Sequence, residues 1–138
     1  MKLAKLQPKE IDIEFNGEVK SLVVDFESIR AIGTECGNLT ALIMHIVNAA
    51  SGREMPDAIQ LATFYTAIVN RAGFTFERKR VQVDMVYNAL MADYAELLPV
   101  IVHSCATAAM LMIPGVGTEP EVTEEEPKKK TTAKRTTR

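Results

Sequence analysis

The chain has 138 residues, a formal charge of −2, 47% apolar residues and no tryptophan. That suits one domain, or one domain and a tail, and it argues against a folded body that grips nucleic acid, which needs clustered Lys and Arg. Division at residue 118 sharpens the point: the body is net acidic, while residues 119–138 hold six bases and five acids.

The N-terminus, MKLAKLQPKE, lacks the apolar core of a secretory signal. In EIDIEF, residues 10–15, Ile11, Ile13 and Phe15 alternate with acids, the period of a half-buried strand. Asn16-Gly17 follows, a pair suited to a type I′ turn, and EVKSLVV returns from Glu18 to Val24. A lone hairpin is not stable in water, so it must lie on something.

The remainder reads as helical. Asp25 is placed to cap a first helix with Phe26, Ile29 and Ile32 as its inner face and Gly37 as its stop. Asn38 is placed to cap a second, closed by Gly52. Pro56 suits the first turn of a third, which runs to Ala72 with Ile59, Ala62, Tyr65 (or Phe64), Ile68 and Ala72 facing inward and Gly73 ending it. Residues 74–83 fit a short strand or an extended loop equally well. A fourth helix spans 83–98, with Asp84 as a possible cap, and Pro99 marks a break or kink before a fifth that reaches about Met112. The expected fold is mainly α (α+β): an N-terminal β-hairpin on four or five helices. Residues 1–118 form the globular domain, and 119–138 form a disordered charged tail without aromatic residues.

Signs of catalysis are sparse. His45 and His103 each sit in an apolar helical stretch, where a lone histidine is usually a satisfied core or interface residue. CxxC, HExxH and HxH spacings are missing, and GTECG at 33–37 is not a phosphate loop. Cys36 and Cys105 are read as small buried residues. The expectation is a non-enzyme with no metal or cofactor. The apolar run Leu97–Ile113 is interrupted by Pro99, His103, Ser104 and Thr107, and is read as a buried helix with no membrane role. The helical methionines suit core filling or an adaptable binding face.

The order of elements resembles that of tail assembly chaperones of long-tailed bacteriophages and gene-transfer agents. Those begin with a hairpin of the form fNGe, matched by Phe15, Asn16, Gly17 and Glu18. A helix of pattern F-x-x-I/L-x-x-I/L-E-x-x-G follows, matched by Phe26, Ile29, Ile32 and Gly37. A later A-a-l-x-x-A-G segment corresponds to Ala67, Ile68, Val69, Ala72 and Gly73. The likeness covers about residues 10–95. It departs from the pattern after Ile32, where Gly33 follows directly and Glu35 is the nearest acid.

The resemblance implies a function: binding the tape measure protein in the host cytoplasm and keeping it soluble until tail tube subunits polymerise. It also implies a longer form made by −1 frameshifting, which would recruit the tail tube protein, and weak self-association. The run Lys128, Lys129, Lys130 fits that picture, because lysine codons are adenine-rich and suit slippage. Met110 and Met112 are the candidate client contacts. The alternative is a small helical adaptor that binds nucleic acid or another protein through KKKTTAKRTTR. Five upstream glutamates and the lack of aromatic residues count against nucleic acid.

Overall fold

The computed structural model describes residues 9–113. The chain runs β1 (Lys9–Phe15), β2 (Glu18–Val24), α1 (Phe26–Cys36), α2 (Leu39–Ala50), α3 (Ala58–Ala72), α4 (Val83–Ala92) and α5 (Tyr94–Leu111). A two-stranded antiparallel hairpin therefore lies on five helices, the architecture expected from sequence. Lys128, Lys129 and Lys130, and the domain boundary at 118, lie outside the described residues.

The hairpin register, Phe15 opposite Glu18 and Ile11 opposite Leu22, is fixed by Asn16 and Gly17 at φ 51° and 83°. That register turns Ile13, Leu22 and Val24 into the core. The central helix is α3: both strands and α1, α4 and α5 pack on it. Its middle is buried on nearly every side, from Leu61 and Ala62 to Phe64 through Val69. Lys20 ties the hairpin to the end of α3, donating to the Gly73 carbonyl at 3.2 Å with its ammonium 5.5 Å from the centre of the Phe74 ring. Phe15 packs against both Tyr65 and Phe74, with ring centres 6.3 and 5.5 Å apart.

The caps at Asp25 and Asn38 form as expected, accepting from the Ser28 and Ala41 amides. Several other expectations need correction. Pro56 precedes the third helix. Asp57 is the cap, its Oδ1 accepting from the Ile59 and Gln60 amides at 2.9 and 3.1 Å. Ile59 is 64% exposed, because nine residues separate it from buried Ile68 and place it about 180° away around the helix. Phe26 is 71% exposed for a similar reason. Steps of three residues drift, so Phe26 lies about 120° from Ile32, and Ser28, one turn before Ile32, takes the inward position. Arg30 covers the Phe26 ring instead, 5.7 Å from its centre.

The expected fourth helix ends early. Asp93 leaves helical geometry at φ −141° and ψ 54°, closing α4 with its amide and opening α5 with its carbonyl, which accepts from Leu97. Pro99 thus lies inside α5 rather than at a break. It is the sixth residue of α5, beyond the first turn, so the helix runs through it with the backbone bond to the Ala95 carbonyl missing. Gln82 occupies the cap position of α4, and Asp84 lies in the first turn, its Oδ1 accepting from the Met85 amide.

Residues 74–82 form neither a regular strand nor an open loop. Phe76 and Lys79 make an isolated antiparallel bridge around Glu77 and Arg78, which have φ 52° and 66°. Asn70 of α3 holds the far end of this connector: its Nδ2 donates to the Val81 carbonyl at 3.0 Å and its Oδ1 accepts from the Val81 amide at 2.9 Å. The connector delivers Phe76 and α4 to the hairpin tip.

Candidate functional site

An apolar groove of about 360 Å3 lies where the hairpin tip, α4 and the first half of α5 meet over α3. Phe15, Tyr65 and Ile101 lie beneath it, with Met85, Val86 and Ala89 along the α4 side and Leu97 and Val100 along the α5 side. Its size falls in the roughly 300–1,000 Å3 range of ligand-binding clefts. Each wall follows from a local cause. The Asn-Gly turn brings the hairpin tip here. The break at Asp93 lets α4 and α5 diverge as two walls. Helical periodicity puts Leu97, Val100 and Ile101 on one side of α5. Tyr65 spans the floor and donates its hydroxyl to the Glu14 carbonyl at 2.5 Å, so the strand backbone at the tip is tied to α3. Burial pushes the Tyr65 phenol above its usual range, which keeps it a proton donor.

The groove continues over the outer side of the hairpin, where Val19 (62% exposed) and Val100 (40% exposed) sit near Pro99 and His103. Glu14 and Val100 line both parts. Across the two, the acidic side chains are Asp12 and Glu14, and among the described residues neither part is lined by lysine or arginine.

Met110 and Met112 do not line this groove. They lie at the far end of α5, Met110 40% exposed and Met112 half-buried against the core. A signal was available: Leu97, Val100 and Ile101 recur at helical spacing beside two acids and an Asn-Gly tip, but which face is left uncovered depends on tertiary packing.

The histidines part company. His45 is buried with both ring nitrogens engaged. Its Nε2 accepts from the Asp57 amide at 3.0 Å, so Nδ1 carries the proton and donates to Glu54 at 2.8 Å. This histidine fastens the α2–α3 connection and has no nitrogen left for a substrate. The Glu54 carboxyl is held below its ordinary range, first by that hydrogen bond and then by one from Asn48. His103, expected in a core or interface, is exposed on α5 at the groove margin. The thiols engage backbone carbonyls rather than imidazole: Cys105 contacts the Leu61 carbonyl and Cys36 the Thr63 carbonyl. Burial pushes the Cys36 thiol up to about 11 and Cys105 well above its normal value, so neither is a ready thiolate. Among the described residues, no group of three or more His, Cys, Asp or Glu is placed to hold a metal.

By length and composition α5 could cross a membrane. In the fold, Ile101, Ser104, Cys105, Ala108 and Ala109 of α5 are buried, and the helix packs against α2 and α3.

No family model, curated protein or solved structure matches this chain.

Proposed function

We propose that this chain is a tail assembly chaperone that binds the tape measure protein of a long-tailed phage or gene-transfer agent and keeps it soluble until the tail tube polymerises. The observation that carries the reading is the apolar groove between the hairpin tip, α4 and α5. It is open at the surface and lined mainly by flexible and aliphatic side chains; His103 and Ser104 both line its continuation, but among the described residues no hydrogen bond joins the Ser104 hydroxyl to the His103 ring. Such a site suits reversible capture of apolar helical segments more than chemistry. Met85 in the wall adds adaptability, since an unbranched thioether fits varied partners. The order of hairpin and helices that resembles the chaperone family supports the same reading.

A tape measure protein is long and helical, and without its tube it exposes apolar stripes. Many copies of a small chaperone, each covering a short length with a modest interface, would screen those stripes and still yield to tube subunits. The longer frameshifted form, with the slip near Lys128, Lys129 and Lys130, would bring tail tube protein to the coated client. Weak self-association along the client, and residence in the host cytoplasm, complete the proposal.

The test is co-expression of the full chain with the tape measure protein from its own genome. The reading expects the tape measure protein to move from the pellet to the soluble fraction and to co-purify with the chain. A tape measure protein equally insoluble with and without the chain would overturn it.

A further inference from the structure

We infer that the groove selects a basic amphipathic helix: a client segment with a row of large apolar side chains flanked by Lys or Arg. The inference rests on the groove being the client site and adds which segments it takes.

The occupant's backbone comes first. The α4 and α5 walls of the groove are side chains of helices whose backbone groups are bonded internally. An extended peptide lying between them would find few partners for its own amides and carbonyls, whereas a helix arrives with those groups already paired. Met85 and Ala89 on α4, and Leu97 and Ile101 on α5, are spaced four residues apart and form ridges of the kind into which another helix packs.

Charge decides the rest. Among the described residues, the Asp, Glu, Lys and Arg side chains lining the groove and its continuation are all acidic, Asp12 and Glu14. Exposed Glu18, Asp84 and Glu96 neighbour lining residues in sequence. The nearby cations are partly engaged: Lys20 is bonded to Gly73 and lies over Phe74, and Arg80 pairs with Glu35 on the α1 side. Arg78 and Lys79 stand at the bridge beyond Phe76. A client with acids beside its apolar row would meet Asp12 and Glu14 at close range, and one with lysines would pair with them.

The experiment uses the full chain and two fluorescent peptides of about 18 residues, or five helical turns. Both carry the same leucine row; one has lysine and the other glutamate on its flanks. Fluorescence anisotropy at low salt is expected to show the lysine peptide binding about tenfold more tightly, with the gap closing at about 0.5 M salt. The double variant Asp12→Asn, Glu14→Gln is expected to lose the preference and retain the weaker salt-insensitive binding. Val100→Asp is expected to lose binding of both peptides with an unchanged circular dichroism spectrum. Glu27→Gln, a charge change on α1, is expected to leave the preference intact.

Equal affinity for the two peptides, or a preference that survives the double variant, would overturn the inference. So would binding of neither peptide; altered sedimentation of Val100→Asp would then place a second copy of the chain in the groove. Failure to solubilise the tape measure protein while the lysine preference holds would remove the client's identity and leave this selectivity standing.

Discussion

Replacing Asn70 with alanine will loosen the connector that carries α4 to the groove, and the cost can be worked out from two bonds. The Asn70 amide pairs with both the N–H and the C=O of Val81, at 2.9 and 3.0 Å, and Val81 is 1% exposed. Each hydrogen bond contributes about 1 kcal/mol net, and leaving a buried backbone group without a partner costs about 1–3 kcal/mol. Partial access of water to the half-buried Asn70 position lowers the total, so about 2–4 kcal/mol is expected for Asn70→Ala. At about 4 °C per kcal/mol for a core of this size, the melting temperature falls by about 8–16 °C. Asn70→Asp isolates the donor half. Its carboxylate can still accept from the Val81 amide but faces the Val81 carbonyl with like charge. Protonation restores a donor, which raises the folded pKa of that new carboxyl, so the variant's deficit against the parent narrows as pH falls toward 4. Thermal melts followed by circular dichroism, at neutral pH and at stepwise lower pH, measure both. A loss of less than about 3 °C for Asn70→Ala, or an Asn70→Asp deficit that does not vary with pH, would refute the reasoning.

Further outcomes follow from other contacts. Thr66 is buried with an unpartnered hydroxyl, so Thr66→Val is expected to raise stability by about 1 kcal/mol in urea unfolding. Tyr65→Phe removes the hydroxyl bonded to the Glu14 carbonyl and is expected to cost about 1 kcal/mol, with faster amide exchange at the hairpin tip. Asp57→Ala removes the α3 cap and is expected to cost about 1 kcal/mol in the same unfolding assay, whereas Asp57→Asn costs much less because asparagine also caps. Asp25, Glu54 and Asp57 all have carboxyl pKa values below their ordinary ones, mainly through hydrogen bonds from Ser28, His45 and Gln60 respectively. Their folded values lie below the unfolded ones. The stabilisation they give is therefore complete above about pH 4–5 and drains away as pH falls through the lowered values. A pH series of urea midpoints checks this: a midpoint that rises from pH 5 to pH 3 would contradict it.

The parts of the fold that were legible in the sequence are those written in local chemistry. Asn16-Gly17 specifies its turn by the positive φ it tolerates, and Asp25 and Asn38 specify helix starts by the oxygen they offer to free amides. Faces were read less well where the spacing drifted: steps of three residues put Phe26 and Ile59 on inner stripes that a 3.6-residue turn carries round to solvent. The break at Asp93 is hidden because Pro99 is the louder signal, yet α5 runs through Pro99 at the loss of one backbone bond. The bridge at Phe76 and Lys79 uses Glu77 and Arg78 at positive φ, residue types that do not advertise a turn. Its other anchor, Asn70, lies 11 residues away from Val81, beyond any local pattern. The groove was the least legible feature. It is the space left by four elements that fail to cover one another, and a sequence records what each helix buries against its neighbours, not what remains uncovered between them.

The groove is the proposed seat of the client. The most direct measurement is co-purification of the tape measure protein with the full chain carrying Val100→Asp, beside the parent and Met110→Asp. Val100 and Met110 are each 40% exposed on α5, so the two variants place the same charge on the same helix inside and outside the groove. Val100→Asp is expected to lose the tape measure protein while Met110→Asp keeps it, with similar melting temperatures for both. Retention by Val100→Asp, or loss by Met110→Asp alone, would contradict it.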